Sequence, residues 1–201
     1  MSLTTERPAR AVLFNVPNQL TALRLVLSLV LFVMVAYKTY LAGLVVFLIA
    51  ASTDWLDGYV ARKYGMVTTL GRILDPFVDK IIICGTFVYL VGVPESDSLL
   101  VQTLRPWMVV VIIGRELLVT ALRSFLEGEG ADFSATLSGK LKMLLQCIAA
   151  GVCLFYLSYG RASDFPLWLE WLMRVSVWSA VAITIISGLA YVQRAVAILS
   201  K

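Results

Sequence analysis

Six long apolar runs separated by short polar stretches make up most of this chain: residues 18–37, 40–61, 71–93, 105–126, 138–158 and 168–196. A helix needs about 20 residues to cross the hydrocarbon of a bilayer, and each run is about that long or longer. Pro17, Pro94, Pro106 and Pro166 fall near the boundaries, where helix breakers belong. The pattern predicts an all-α integral membrane protein with six transmembrane helices, in one domain spanning residues 17–201. Residues 1–16 stand apart. They are polar to mildly amphipathic and carry Arg7 and Arg10. They read as a short amphipathic helix lying along the membrane surface, with a frayed terminus as the blander alternative.

Composition agrees with the pattern. Of 201 residues, 60% are hydrophobic and 15% charged, and the mean hydropathy is +0.87, which excludes an ordinary soluble domain. The net charge of +4 is scattered rather than gathered into runs, which argues against nucleic acid as a partner and for an anionic lipid surface. Cys84, Cys147 and Cys153 all lie inside apolar runs and read as reduced packing residues. With no histidine in the chain, His general bases and His-ligated zinc are excluded. The first apolar run lacks a clear small-residue cleavage site and is long enough to remain as a span. Basic residues near span ends set the orientation. With the N-terminus in the cytoplasm, the inside holds Arg7, Arg10, Arg62, Lys63, Arg72, Arg123, Lys140, Lys142, Arg194 and Lys201. The outside holds only Lys38, Arg105, Arg161 and Arg174. Both termini are therefore expected in the cytoplasm. Tyr37, Tyr40, Trp107, Tyr156, Tyr159, Trp168 and Trp171 sit near span ends and read as an interfacial belt.

Four carboxylates interrupt this apolar pattern. Asp54, Asp57, Gly58 and Ala61 recur at i, i+3, i+4 and i+7, one face of a helix, and Gly71, Asp75 and Asp79 do nearly the same on the next. An aspartate at the centre of a membrane helix costs about 2.5–3.5 kcal/mol on insertion scales, so such groups mark an ion or reaction site. A short connection makes the two helices antiparallel neighbours, and the four carboxylates converge near the cytoplasmic surface. Bare, they would repel one another. Oxygen-only ligands select the hard ions Mg²⁺ or Mn²⁺, and four carboxylates suit two ions sharing a phosphate-bearing substrate. Gly58, Ala61 and Gly71 leave room beside them, and Pro76 should bend its helix there. The competing reading is a structural network with Arg62, Arg72 and Lys80.

The ordered pattern D-x-x-D-G-x-x-A-R-x8-G-x-x-x-D-x-x-x-D, matched at every fixed position from Asp54 to Asp79, resembles the signature of the CDP-alcohol phosphotransferases. The resemblance implies a six-helix membrane enzyme, usually a homodimer, that moves a substituted phosphate from a CDP-linked donor to an alcohol and releases CMP. It further implies that Asp54, Asp57 and Asp75 ligate metal, and that Asp79 is the general base and also touches metal. Gly58, Ala61, Arg62 and Gly71 would line the CDP pocket with Asp54, Asp57 and Asp75. Pro17-Asn18-x-x-Thr21-x-x-Arg24, Gly114-Arg115-Glu116 with Thr120 and Arg123, and Ser138-Gly139-Lys140-Leu-Lys142 with Gln146 resemble the branch of that family that makes phosphatidylglycerophosphate in the bacterial cytoplasmic membrane. Met143 departs from that branch, which commonly has Thr there. The implied substrates are CDP-diacylglycerol and sn-glycerol 3-phosphate.

An acceptor that carries its own phosphate requires a basic cluster. Arg115, Arg123, Lys140 and Lys142 are the candidates for glycerol phosphate, with Glu116 as the alternative partner of Arg115. Lys140 and Lys142 lie about 200° apart on a regular helix, so either the chain is not helical there or only one of them reaches the site. Asn18, Thr21 and Arg24 are assigned either to the nucleotide side or, for Asn18, to an N-cap. Two other readings stay open: the same chemistry with inositol phosphate, phosphatidylglycerol or serine as acceptor, and a divalent-cation transporter. The second is disfavoured by the apolar stretches beyond the aspartates, Leu41 to Ala51 and Ile81 to Leu90, which make the site one-sided.

Overall fold

The computed structural model describes residues 16–64, 69–93, 98–128, 137–159 and 166–200. Within these, the side chains of residues 16, 17, 54–64, 69–73, 98, 127, 137 and 138 are outside the description. All the described elements are helices: α1 (Val16–Ala36), α2 (Tyr40–Tyr64), α3 (Thr69–Val91), α4 (Ser98–Thr103), α5 (Pro106–Gly128), α6 (Leu137–Tyr159) and α7 (Leu167–Leu199). Each apolar run of the sequence corresponds to one long helix. Among the described residues, three helical segments, Asn18–Ala36, Gly139–Tyr159 and Leu167–Leu199, are long and apolar enough to cross a membrane. With their lipid-like surface they make this a multi-pass membrane protein.

Hydropathy does not register α4, because six residues are too few to form a span. It forms because Leu100, Thr103 and Leu104 fold inward together, against α7. The α1–α2 connection is closed by two hydrogen bonds, Lys38 N–H to the Val35 carbonyl (3.0 Å) and Thr39 N–H to the Met34 carbonyl (2.9 Å). This pairing needs a left-handed residue at Lys38, whose φ is +62°, a place usually taken by glycine. The α3 helix continues through Pro76.

One core joins all these helices, with Leu31, Phe47, Phe87, Leu100, Ile112, Cys153 and Met173 contributing from α1 to α7 in turn. Outside it the bundle presents large apolar side chains such as Val26, Leu48, Val110, Leu117, Ile186 and Leu189, the inverse of a soluble surface. Trp107, Tyr159, Trp168, Trp171 and Tyr37 are exposed, in keeping with the belt expectation. Tyr156 is not part of it. It is 2% exposed and belongs to the core, because the interior face of α6 continues to its last turn. Tyr40 is only partly exposed and packs on the same core.

The expectation that α2 and α3 are direct neighbours rests on residues 54–73, whose side chains lie outside the description. Among the described residues, α1 packs extensively on both of them. The Phe32 ring of α1 stacks on Tyr89 of α3, with centroids 5.0 Å apart and planes 7° apart, and lies across Gly85, where a Cβ would run into the ring. Gly85→Val is therefore expected to lower stability by about 1–3 kcal/mol through overpacking. Thermal unfolding in detergent reads this, and adding Phe32→Ala should recover part of the loss. An unchanged midpoint for Gly85→Val would mean the helix contact is looser than drawn here.

Candidate active site

The polar residues of five helices gather at one end of the bundle, away from the helix ends that carry Tyr37, Trp107, Tyr159, Trp168 and Trp171. Asp75 and Asp79 lie one turn apart on α3 and each meets a donor from α1. The Thr21 hydroxyl donates to Asp75 Oδ1, and Arg24 Nη1 donates to Asp79 Oδ1 in an ion pair. Thr21 and Arg24 are three residues apart on one face of α1, so a single helix face serves both carboxylates. The Arg24 side chain is 1% exposed. A guanidinium at that depth is tolerable only when it is paired and hydrogen-bonded. Asn18 lies inside α1, near its start, rather than capping it, and it is buried. The structural network weighed for the aspartates thus comes, for Asp79, from Arg24 on another helix. Asp54, Asp57, Gly58, Ala61, Arg62 and Gly71 lie on helical backbone in α2 and α3, and their side chains are outside the description. Asp75 and Asp79 offer oxygen donors alone, with no thiolate or imidazole in contact with them, and that donor chemistry fits a hard divalent ion. Among the described residues no three carboxylate, Cys or His groups cluster together.

Next to Asp79 opens a cavity of about 400 Å³, within the usual range for small-molecule sites. It brings together Asp79 and Lys80 of α3, Arg115, Glu116 and Arg123 of α5, Lys140 and Lys142 of α6, and Tyr191 of α7. Five cationic groups thus face two carboxylates, a balance suited to an anion. All four residues expected to form the basic cluster line this space. The restriction placed on Lys140 and Lys142 does not hold, since α6 is helical across both and both line the cavity. Gly139, Lys142, Met143 and Gln146 share one face of α6, and Lys140 stands on its flank, about 60° from Met143, where its long side chain still reaches the opening.

Within the cavity Glu116 draws two cations. Lys142 Nζ donates to Glu116 Oε1, and Arg115 Nη1 approaches the same oxygen at 3.3 Å. Arg123 Nη2 donates to the Tyr191 hydroxyl at 3.3 Å, and the Arg115 guanidinium sits 5.3 Å from the Tyr191 ring centroid. Arg115 Nε and Nη2 and Arg123 Nε are buried and have no hydrogen-bond acceptor among the described residues. Buried N–H groups of this kind are costly unless an acceptor meets them. Gln146 donates to Thr184 Oγ1 at 2.9 Å, tying the cavity floor to α7. Tyr191 escaped the reading of the sequence, since a single tyrosine in an apolar run carries no signal. Arg194 of the same helix, counted among the inside basic residues, does not line the cavity.

A basic cavity beside paired aspartates is the arrangement expected of an enzyme that transfers a phosphate group from a lipid-linked diphosphate to a phosphorylated alcohol, and comparison with known proteins agrees. Residues 14–186 match the CDP-alcohol phosphatidyltransferase family. The CDP-diacylglycerol–glycerol-3-phosphate 3-phosphatidyltransferase of Bacillus subtilis (strain 168) is 33% identical over 194 residues, covering 89% of this chain and 94% of the relative. Proteins of the same name from Rickettsia typhi (31% over 180 residues; 88% and 94% covered) and Haemophilus influenzae (30% over 185 residues; 90% and 92% covered) are similar over almost the same extent. The match takes in the aspartate helices and every basic residue of the cavity, and the chain belongs to the CDP-alcohol phosphatidyltransferase family.

Proposed function

We propose that the protein transfers the phosphatidyl group of CDP-diacylglycerol to sn-glycerol 3-phosphate, giving phosphatidylglycerophosphate and CMP. The observation that carries this reading is a single cavity lined by both the Asp79 carboxylate and the Arg115 and Arg123 guanidiniums. An acceptor with a hydroxyl to activate and a phosphate to hold needs both kinds of group. The relatives named above carry this reaction in their names.

In this reading the acceptor phosphate lies against Arg115 and Arg123, and Lys140 and Lys142 add positive charge. The acceptor hydroxyl faces Asp79, which takes its proton as a bond forms from that oxygen to the phosphatidyl phosphorus. The bond from the same phosphorus to the bridging oxygen breaks, and CMP leaves with the electron pair. Asp54, Asp57, Gly58, Ala61, Arg62, Gly71 and Asp75 form the CDP side. Asp54, Asp57, Asp75 and Asp79 would hold two divalent ions, Mg²⁺ or Mn²⁺, whose charge offsets that of the donor diphosphate. Thr21 and Arg24 hold the Asp75 and Asp79 side chains in place.

Six helices cross the bacterial cytoplasmic membrane, as a homodimer, with both termini and the cavity on the cytoplasmic side. Residues 1–16 lie at the interface and 17–201 form the membrane domain. Support for this orientation comes from Arg123, Lys140 and Lys142 at the cavity end.

The test is CMP release by the detergent-purified full chain given CDP-diacylglycerol, with each candidate acceptor supplied in turn. Release is expected with glycerol 3-phosphate but not with inositol phosphate, serine or phosphatidylglycerol. EDTA should stop it, and Mg²⁺ or Mn²⁺ should restore it. Release with a different acceptor would overturn the acceptor assignment and leave the family chemistry intact. No release from folded protein that binds CDP-diacylglycerol would overturn the enzyme reading and bring cation transport forward.

A further inference from the structure

The two arginines of the cavity stand eight residues apart on α5. Their backbones are therefore about 12 Å apart along the axis and about 80° apart around it. Nothing in α5 alone makes their guanidiniums converge. They meet at one residue of the last helix. Tyr191 is 2% exposed. Its ring faces the Arg115 guanidinium at 5.3 Å, and its hydroxyl accepts a hydrogen bond from Arg123 at 3.3 Å. One turn earlier on α7, Gly188 gives Arg115 its path, since a Cβ there would stand 3.1 Å from Arg115 Cγ. That separation is tight enough that the arginine stem would have to move.

We propose that Gly188 and Tyr191 form a cradle on α7 that positions Arg115 and Arg123 for an incoming phosphate, so that the last helix sets the affinity for the phosphorylated acceptor. The cradle takes up one face of Arg115 and one N–H of Arg123. It leaves Arg115 Nε and Nη2 and Arg123 Nε as buried donors with no acceptor among the described residues. A phosphate group, with three oxygens and strong acceptor character, suits such a set of donors. Tyr191 touches neither the donor lipid nor the reacting hydroxyl in this account. It is a positioning residue, and the proposal rests on the glycerol 3-phosphate reading above.

The decisive experiment compares Tyr191→Phe, Tyr191→Leu and Gly188→Ala with the parent chain in steady-state CMP release, varying each substrate separately. Phe keeps the ring under Arg115 and removes the acceptor for Arg123, so KM for glycerol 3-phosphate should rise about three- to tenfold. Leu removes both contacts and should raise it by more than about tenfold. Gly188→Ala should also raise that KM. In all three, kcat and the KM for CDP-diacylglycerol should stay near the parent values. An unchanged acceptor KM, or a common change for both substrates, would overturn the proposal while leaving the assigned reaction standing. Should Tyr191→Leu fail to fold, Tyr191→Phe decides alone. Should glycerol 3-phosphate prove not to be the acceptor, inorganic phosphate reads the cradle by itself. It should raise the thermal midpoint of the parent chain, and that shift should shrink in Tyr191→Phe. No shift in the parent, or an equal shift in both, would overturn the cradle.

Discussion

Asp79→Asn is expected to remove CMP release while CDP-diacylglycerol still binds. Asparagine keeps the shape and one carbonyl oxygen, so the side chain can still accept from Arg24, but it can no longer take the proton of the acceptor hydroxyl. A positioned general base contributes about 10²–10⁴ in rate, and the variant should lose at least that much. Further loss would follow from any part Asp79 has in holding a divalent ion. Binding of the CDP-lipid, measured separately, should change much less, since most of the groups assigned to the nucleotide lie on α2 and the start of α3. Turnover within a few-fold of the parent would remove Asp79 from the role of base. It would turn attention to Glu116, the other carboxylate of the cavity.

The largest effect on stability is expected from Arg24→Met. Methionine fills similar space but leaves Asp79 without its guanidinium partner. Breaking a buried ion pair from one side costs about 3–5 kcal/mol. The Asp79 side chain retains 28% exposure, so the lower end of that range applies. The diagnostic comparison is the double variant Arg24→Met with Asp79→Leu. Removing both charges from a buried pair is often close to neutral. The double variant should therefore unfold in detergent at a higher temperature than Arg24→Met alone, though it will be inactive. If the two substitutions simply add, the pair is not energetically coupled and contributes nothing of its own to holding α1 on α3.

These expectations draw on different layers of information. The six apolar runs correspond to six long helices with ends within a few residues, because the cost of exposing apolar segments is local and additive along the chain. Asp75 and Asp79 share a face for an equally local reason, the helical period. The grouping of Arg115, Arg123, Lys140 and Lys142 could be anticipated from their rarity in apolar surroundings, where a charged side chain requires an explanation. What periodicity could not supply is partnership between helices. It placed Lys140 and Lys142 on opposed faces, so that either the helix had to be irregular there or only one of them could reach the site. The restriction disappears once the cavity is seen to wrap the first turns of α6. Nor could periodicity show that α1 packs on both α2 and α3 and brings Thr21 and Arg24 to the aspartates.

The sequence by itself determined the class of molecule, the helices, the membrane setting and the residue types of the site. Each of these follows from transfer free energy and from spacing within a single helix. Only the tertiary structure decided which helix answers which charge: Arg24 for Asp79, Glu116 for Lys142, and Tyr191 for the two arginines. Those pairings join residues 26 to 76 positions apart along the chain. They depend on how six helices pack side by side, a relation carried by the shapes of their buried faces and by no local signal.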